Sequence, residues 1–270
     1  MAMIVLGLKH FQICTLSHYK QMKAVFIGSG NVASHLSLAL QTSGLEFCQV
    51  YSHTIGNAQI LAEKLHVPYT NKSSDIYKDA DIYFYALKDD VLQQFIEKVN
   101  LPNGIHVHTA GSIPMIVFEG YAKNYGVFYP LQTFSKSKIV DFKLIPICIE
   151  ASSLAIESVL LELANSVSKK NYLLSSEQRM QLHLSAVFAS NFTNRMYAIA
   201  AEILEDAGME FDIIKPLIEE TCSKIRTLHP SKAQTGPALR HDEKIIQKHI
   251  ELLSEKPEIQ KLYKEISENI

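Results

Sequence analysis

Gly28, Gly30 and Ala33 stand at the spacing Gly-x-Gly-x-x-Ala within Gly28-Ser29-Gly30-Asn31-Val32-Ala33, between the apolar run KAVFI and the helix-like ASHLSLALQTSG. A tight turn from strand to helix leaves backbone N–H groups unpaired at a helix N-terminus. The helix dipole favours negative charge there, so a diphosphate is the natural occupant. The pattern is a dinucleotide fingerprint with its permitted alanine in third place. The next apolar run, FCQVYSH, ends at Ser52, His53 and Thr54 without the carboxylate that would accept from a ribose 2′-hydroxyl. An acid would repel a 2′-phosphate, whereas these three side chains can donate to one, so NADP is favoured over NAD. Ala86, Leu87 and Lys88 end another apolar strand and should border the same ligand. His108, with Thr109 and Ser112, opens a polar loop that contains Gly111. It is counted with the cofactor-binding residues as a group that could handle a proton or orient a ligand, against the plain alternative of a surface histidine.

A second constellation lies further on. His183, Ser190 and Asn194 fall within about 40° of one another at 100° per residue, with Asn191 slightly to the side. A polar stripe on an otherwise apolar helix is either a set of core side chains paired to backbone or one wall of a substrate pocket. In the segment PSKAQTGPALRHD, Thr235-Gly236-Pro237 must turn, Asp242 suits an N-cap, and Arg240 can pair with a carboxylate or phosphate. His183 is the candidate for moving a proton, Asn191 for orienting a substrate and Arg240 for holding its anionic group. Ser190, Asn194, Thr235, Gly236, Pro237 and Asp242 are the candidate substrate-lining residues.

The elements needed to carry these groups alternate in type. Strands are expected at 23–27, at FCQVYSH, at a short VPY, at 80–87, around Ile105 and Val107 before the polar loop, at 125–134 and at 144–150, with helices between them. Asp89 and Asp90 complement a helix N-terminus, and Ser112 could cap a short helix begun by Pro114. After Ala151 strand signals disappear. Ser175 and Gln178 have capping-box spacing, and neither Pro nor Gly interrupts residues 176–206. The fold class that follows is α/β: a Rossmann doubly wound parallel sheet followed by an all-α C-terminal domain. The expected division is 1–22 as an N-terminal arm or a misassigned start, with a short packed helix as the alternative, 23–150 as the dinucleotide-binding domain, and 151–270 as a helical substrate and dimerisation domain.

The composition restricts the function classes. Among 270 residues, 47% are hydrophobic, enough for sizeable cores, and 26 basic against 28 acidic side chains leave a formal charge of −2. No global field recruits nucleic acid or an anionic membrane. Cys14, Cys48, Cys148 and Cys222 lack metal or disulfide spacing, so no metal is expected and reduced thiols in the cytoplasm are the default.

The ordered set GSGNVASHL, HTAGSIP, YPLQTF, HLSAVFASNF and TGPALRHD resembles the Rossmann-like NADP oxidoreductases with a C-terminal helical domain of unknown function, in the pyrroline-5-carboxylate reductase and 6-phosphogluconate dehydrogenase-like superfamily. The resemblance spans residues 23–268. It implies a cofactor turn at Gly28, Gly30 and Ala33, and an interdomain site lined by His183, Asn191, Thr235, Gly236, Pro237, Arg240 and Asp242. This chain departs from that pattern in carrying His53 where Arg is more usual, Tyr129 where His is, and His241 where Gly is. The expected activity is hydride transfer between NADP(H) and a small carbonyl, imine or hydroxy compound held between the domains of a homodimer joined through its C-terminal helices. A β-hydroxyacid dehydrogenase would carry a lysine on the long helix, and none lies between Asn171 and Ile214. A pyrroline-5-carboxylate reductase would end in a pattern other than TGPALRHD. A deazaflavin as hydride partner stays open. The reading from a different class is a nucleotide-responsive binding or regulatory protein without turnover.

Overall fold

In a computed structural model, the protein is described over residues 18–99, 101, 103–135, 138 and 140–270. Two compact units are present, Met1–Phe188 and Ala189–Ile270. The first is built on one eight-stranded sheet. Its strands are β1 (Lys23–Ile27), β2 (Glu46–Tyr51), β3 (Tyr69–Thr70), β4 (Ile82–Tyr85), β5 (Ile105–His108), β6 (Asn124–Pro130), β7 (Ile147–Ala151) and β8 (Asn171–Leu173), in the spatial order β3-β2-β1-β4-β5-β6-β7-β8. All neighbours pair in parallel except β6 with β7, so this is the expected doubly wound α/β sheet with one antiparallel step. The connections are α1 (Asn31–Thr42), α2 (Ile55–Leu65), α3 (Asp89–Lys98) and α4 (Leu154–Val167).

Strict alternation explains why the central strands read as continuous apolar runs. Ala24, Phe26, Ile82 and Phe84 face one core with Leu36, Leu40, Leu61 and Leu160. Val25, Ile27, Tyr83 and Tyr85 face the other with Leu92, Ile96 and Phe118. Both faces of the sheet are covered, as parallel sheets require.

Several local expectations are corrected. Strand structure does not end at Ala151, because β8 pairs with β7. Its Tyr172 and Leu173 are half exposed, so it is held by backbone bonds such as Leu174 N–H to the Ile149 carbonyl (3.0 Å) rather than by burial. The expected boundary at 150 thus falls within the sheet. Ser112 caps no helix: its hydroxyl bonds the Asp89 carboxylate, and Pro114 precedes the short helical turn Met115–Phe118. The expectation of an arm or misassigned start over 1–22 lies mostly outside the described residues. Of that stretch, His18–Gln21 forms a 3-10 turn in which Tyr19 is buried and its hydroxyl donates to the Ser43 carbonyl at 3.0 Å.

The capping box is present at the head of α5 (Ser176–Ala186), with both reciprocal Ser175–Gln178 bonds made. Helical backbone does continue to residue 206, but as α5, a π-helical segment at Val187–Phe192, and α6 (Thr193–Asp206). A π turn inserts extra chain per turn, so the uniform 100° spacing used to align His183 with Ser190 and Asn194 does not hold across it. The second unit is wholly helical, adding α7 (Lys215–Lys224), α8 (Pro230–Ala233), α9 (Glu243–Leu252) and α10 (Pro257–Glu268). Among the described residues no helix is long and apolar enough to cross a membrane.

Candidate functional site

The turn after β1 is shaped by two close backbone approaches. Gly28 has φ +114°, and a Cβ there would lie 2.2 Å from the Ala86 carbonyl oxygen, so only glycine lets the ends of β1 and β4 meet. Gly30, two residues on, has an ordinary φ of −75° and nothing within 4 Å of its missing Cβ. Its hydrogen faces open space, which is the cradle a diphosphate requires. Ser34 N–H, bonded to the Gly30 carbonyl at 2.9 Å, is the first donor of the α1 ladder. The N–H groups of Asn31, Val32 and Ala33 therefore precede the ladder, and no side chain caps them. Ala33 is fully buried and lets α1 lie close on the sheet. The Asn31 amide group is committed elsewhere, donating to the Phe134 carbonyl at 2.8 Å. His35 Nε2 meets the Ser135 carbonyl at 3.0 Å, so α1 clamps the segment after β6.

At the end of β2, Ser52 is buried and its hydroxyl accepts from Ser29 Oγ at 2.7 Å, which ties the strand end to the turn. His53 and Thr54 are exposed. Thr54 is the N-cap of α2 without a side-chain cap bond, and the first turn of α2 holds no acid. Ala58 N–H to the Thr54 carbonyl (3.1 Å) opens that ladder, leaving the N–H groups of residues 55–57 for an anion. The residues present thus fit a dinucleotide that carries a 2′-phosphate. Ala86 and Leu87 are half-buried and Lys88 is exposed at the end of β4.

His108 is a correction. It belongs to β5 rather than to a surface loop, has no exposed surface, and takes a bond from Ala110 N–H at 3.2 Å on Nδ1. Burial first, and the nearby Arg179 charge second, push its pKa down to about 3. A neutral, enclosed imidazole cannot exchange protons with a ligand at the strand ends. His106 is likewise held down, to about 4, by burial, and meets the Tyr85 hydroxyl at 2.8 Å.

What lies beyond β5 is a different cluster. His183, half-buried on α5, sets Nδ1 3.1 Å from the hydroxyl of Tyr129, near the end of β6. Both rings rest on Gly111, where a Cβ would lie 2.6 Å from His183 Nδ1 and 2.8 Å from Tyr129 Cζ. Burial raises the Tyr129 phenol to about 12. One turn before His183 on α5, Arg179 is 1% exposed. It pairs with the Glu150 carboxylate and donates from Nη2 to the Ile113 carbonyl at 2.5 Å. Ser176 Oγ donates to Glu150 at 2.7 Å and accepts from Met115 N–H at 3.0 Å. A buried ionic knot thus fixes the 109–115 loop to the helix that bears His183. Arg179 and Glu150 were missed in the sequence. An arginine four residues before a candidate histidine, on the same helical face, was the available signal.

The candidates of the second unit stand apart from a buried stripe. Ser190 is half-buried, whereas Asn191 and Asn194 are exposed, so these two are not core side chains paired to backbone and the pocket-wall alternative stays open. Thr235, Gly236 and Pro237 line a largely apolar cavity of about 290 Å³ with Met196, Ile199 and Tyr263. Asp242 is the expected N-cap, accepting from Ile245 N–H at 3.3 Å. Arg240 is exposed. Among the described residues no group of His, Cys, Asp or Glu could hold a metal ion.

Comparison with known proteins gives the following. Residues 23–109 match the family described as NADP oxidoreductase coenzyme F420-dependent, and residues 145–270 match a domain of unknown function, DUF2520. No curated protein matches the chain. A candidate NADP oxidoreductase from Bacteroides fragilis is 45% identical and superposes with TM-score 0.87, over 93% of this chain and 98% of that one. A 1-pyrroline-5-carboxylate reductase from Streptococcus pyogenes, at 13% identity and TM-score 0.61, covers 92% of this chain and 97% of its own. An imine reductase from Myxococcus stipitatus in complex with NADP+, at 15% identity and TM-score 0.64, covers 92% and 91%. The last two share the fold.

Proposed function

The chain belongs to the NADP oxidoreductase family in which a dinucleotide-binding domain precedes the DUF2520 domain; on that premise we propose that it transfers a hydride between NADP(H) and a small carbonyl, imine or hydroxy compound. The observation that carries this reading is the open cradle at Gly30 joined to an acid-free strand end at Ser52, His53 and Thr54. The backbone of residues 30–33 would hold the diphosphate, and Ser52, His53, Thr54 and the head of α2 the 2′-phosphate. Ala86, Leu87 and Lys88 would border the rest of the dinucleotide. When bound, the reduced nicotinamide supplies a hydride to a carbonyl or imine carbon. The chain must then add one proton at the oxygen or nitrogen, and the group that supports this role is His183. Its Nε2 bonds no described side chain, while Nδ1 is held by Tyr129. In the second unit, the exposed Arg240 guanidinium could pair with an anionic substituent of a substrate. Asn191 and Asn194 could hydrogen-bond its polar atoms, and the cavity at Thr235–Pro237 suits an apolar portion. We further infer a cytoplasmic homodimer joined through the C-terminal helices.

The test is NADPH oxidation against ketones, aldehydes, cyclic imines and an oxidised deazaflavin, run beside NADPH binding. Turnover that falls at least a hundredfold in His183→Gln, with NADPH affinity unchanged, supports the assignment. Tight NADPH binding without oxidation by any member of the panel sinks the enzyme reading and favours the nucleotide-responsive binding protein.

A further inference from the structure

We propose that Tyr129 is the positioning residue for His183, its hydroxyl donating to Nδ1 so that the imidazole carries its proton on Nε2. The inference deepens the oxidoreductase reading and rests on it for its catalytic meaning, while the geometry it concerns stands within the first unit alone.

Histidines that act in catalysis are oriented by whatever bonds the second ring nitrogen, and a backbone carbonyl is a common choice. A carbonyl can only accept. It therefore fixes the proton on Nδ1 and leaves Nε2 as a lone pair, suited to a base. Here the partner is a phenol at 3.1 Å, and the ring is wedged against it by the Gly111 backbone, which leaves no room even for a methyl group. A phenol can donate. Burial holds that phenol protonated well above neutral pH, to about 12, so a proton is always available for the bond. If the ring becomes charged, the same hydroxyl turns and accepts from Nδ1–H, and the imidazole keeps its place in both states. With its proton on Nε2 the neutral ring presents a hydrogen-bond donor to the carbonyl oxygen or imine nitrogen. The charged ring can deliver the Nε2 proton there as hydride arrives at carbon, and keeps its remaining proton on Nδ1, where the turned Tyr129 hydroxyl accepts it.

Two neighbours fix the pair from outside. Cys148 lies opposite Tyr129 in the β6–β7 register and is buried. Arg179, neutralised by Glu150, anchors α5 one turn before His183. Neither offers His183 Nδ1 a competing hydrogen bond.

The direct test is long-range 1H–15N NMR of the full chain labelled at histidine nitrogens, at alkaline pH, with His183→Asn to assign the ring. In the wild type, the proton is expected on Nε2, with the Nδ1 resonance displaced in the manner of a hydrogen-bond acceptor. Tyr129→Phe should return Nδ1 to the free position, lower kcat on any substrate found about tenfold, and leave NADPH affinity within twofold. A proton on Nδ1 in the wild type, or an Nδ1 resonance unmoved by Tyr129→Phe, overturns the proposal. The wild-type spectrum still tests the protonated site should the variant not fold. Should the spectra behave as expected while His183→Gln leaves turnover intact, the catalytic role of His183 fails and the positioning contact stands.

Discussion

Gly28 and Gly30 sit two residues apart and answer to different demands, which substitution should separate. Gly28→Ala forces a Cβ into the Ala86 carbonyl at φ +114° and should destabilise the fold by about 2–4 kcal/mol, read as a lowered urea midpoint. Gly30→Ala meets no atom and keeps an allowed φ, so thermal unfolding should move by only a degree or two. The same methyl should weaken NADPH at least tenfold in a fluorescence titration, since it occupies the diphosphate cradle. Normal NADPH affinity in Gly30→Ala would remove the cradle assignment. His53→Ala should weaken NADPH more than NADH; equal losses for the two would undo the 2′-phosphate argument. The fingerprint was legible because all its residues are local in sequence. Tyr129 was visible there only as an unusual residue, since its partner His183 lies 54 positions away.

At the scale of elements, β5 carries a pH liability. His106 and His108 are both buried in it, at about 4 and about 3 when folded, while the unfolded chain takes its protons near the ordinary value of 6.5. As pH falls below 6.5 the unfolded state binds protons the folded state refuses, so stability declines through that window and is regained above it. At pH 5 each of the two should cost about 2 kcal/mol relative to pH 8. The gap between urea midpoints at the two pH values should therefore shrink by about half of the histidine share in His108→Asn, His106 keeping the rest, and an undiminished pH slope would contradict the burial account. α5 depends on its own buried knot. Arg179→Met leaves Glu150 without its cation and should cost about 3–5 kcal/mol, whereas Arg179→Met with Glu150→Gln should recover much of that loss. The glycine turn told of α1, the capping box of α5 and a continuous apolar run of β4 from the sequence. β8 was hidden because three half-exposed residues show no alternation; its strand state comes from pairing with β7.

At the scale of the whole molecule, the two units differ in how they bury apolar surface. The sheet unit holds two large buried clusters. In the helical unit only Ile199 and Leu253 are buried among the described hydrophobics, while Ile213, Leu217 and Leu252 are 67%, 66% and 81% exposed. So much exposed apolar surface favours a partner, and a second copy is the inferred one. Light scattering at micromolar concentration should give the mass of two chains, reduced to one by Leu217→Asp together with Leu252→Asp; a single-chain mass for the wild type would refute the homodimer. The sequence by itself determined the doubly wound fold class, the strand–glycine turn–helix at residues 23–42 and the choice of cofactor class, because periodicity, glycine conformation and the absence of an acid at a strand end are local properties. Tertiary structure decided which histidine is enclosed and which is presented. His108 and His183 look equally available in the sequence, yet one is sealed inside the sheet and the other rests on Gly111 against a phenol. Burial and partner choice arise from chain segments far apart in sequence, and no local pattern encodes the desolvation that separates the two.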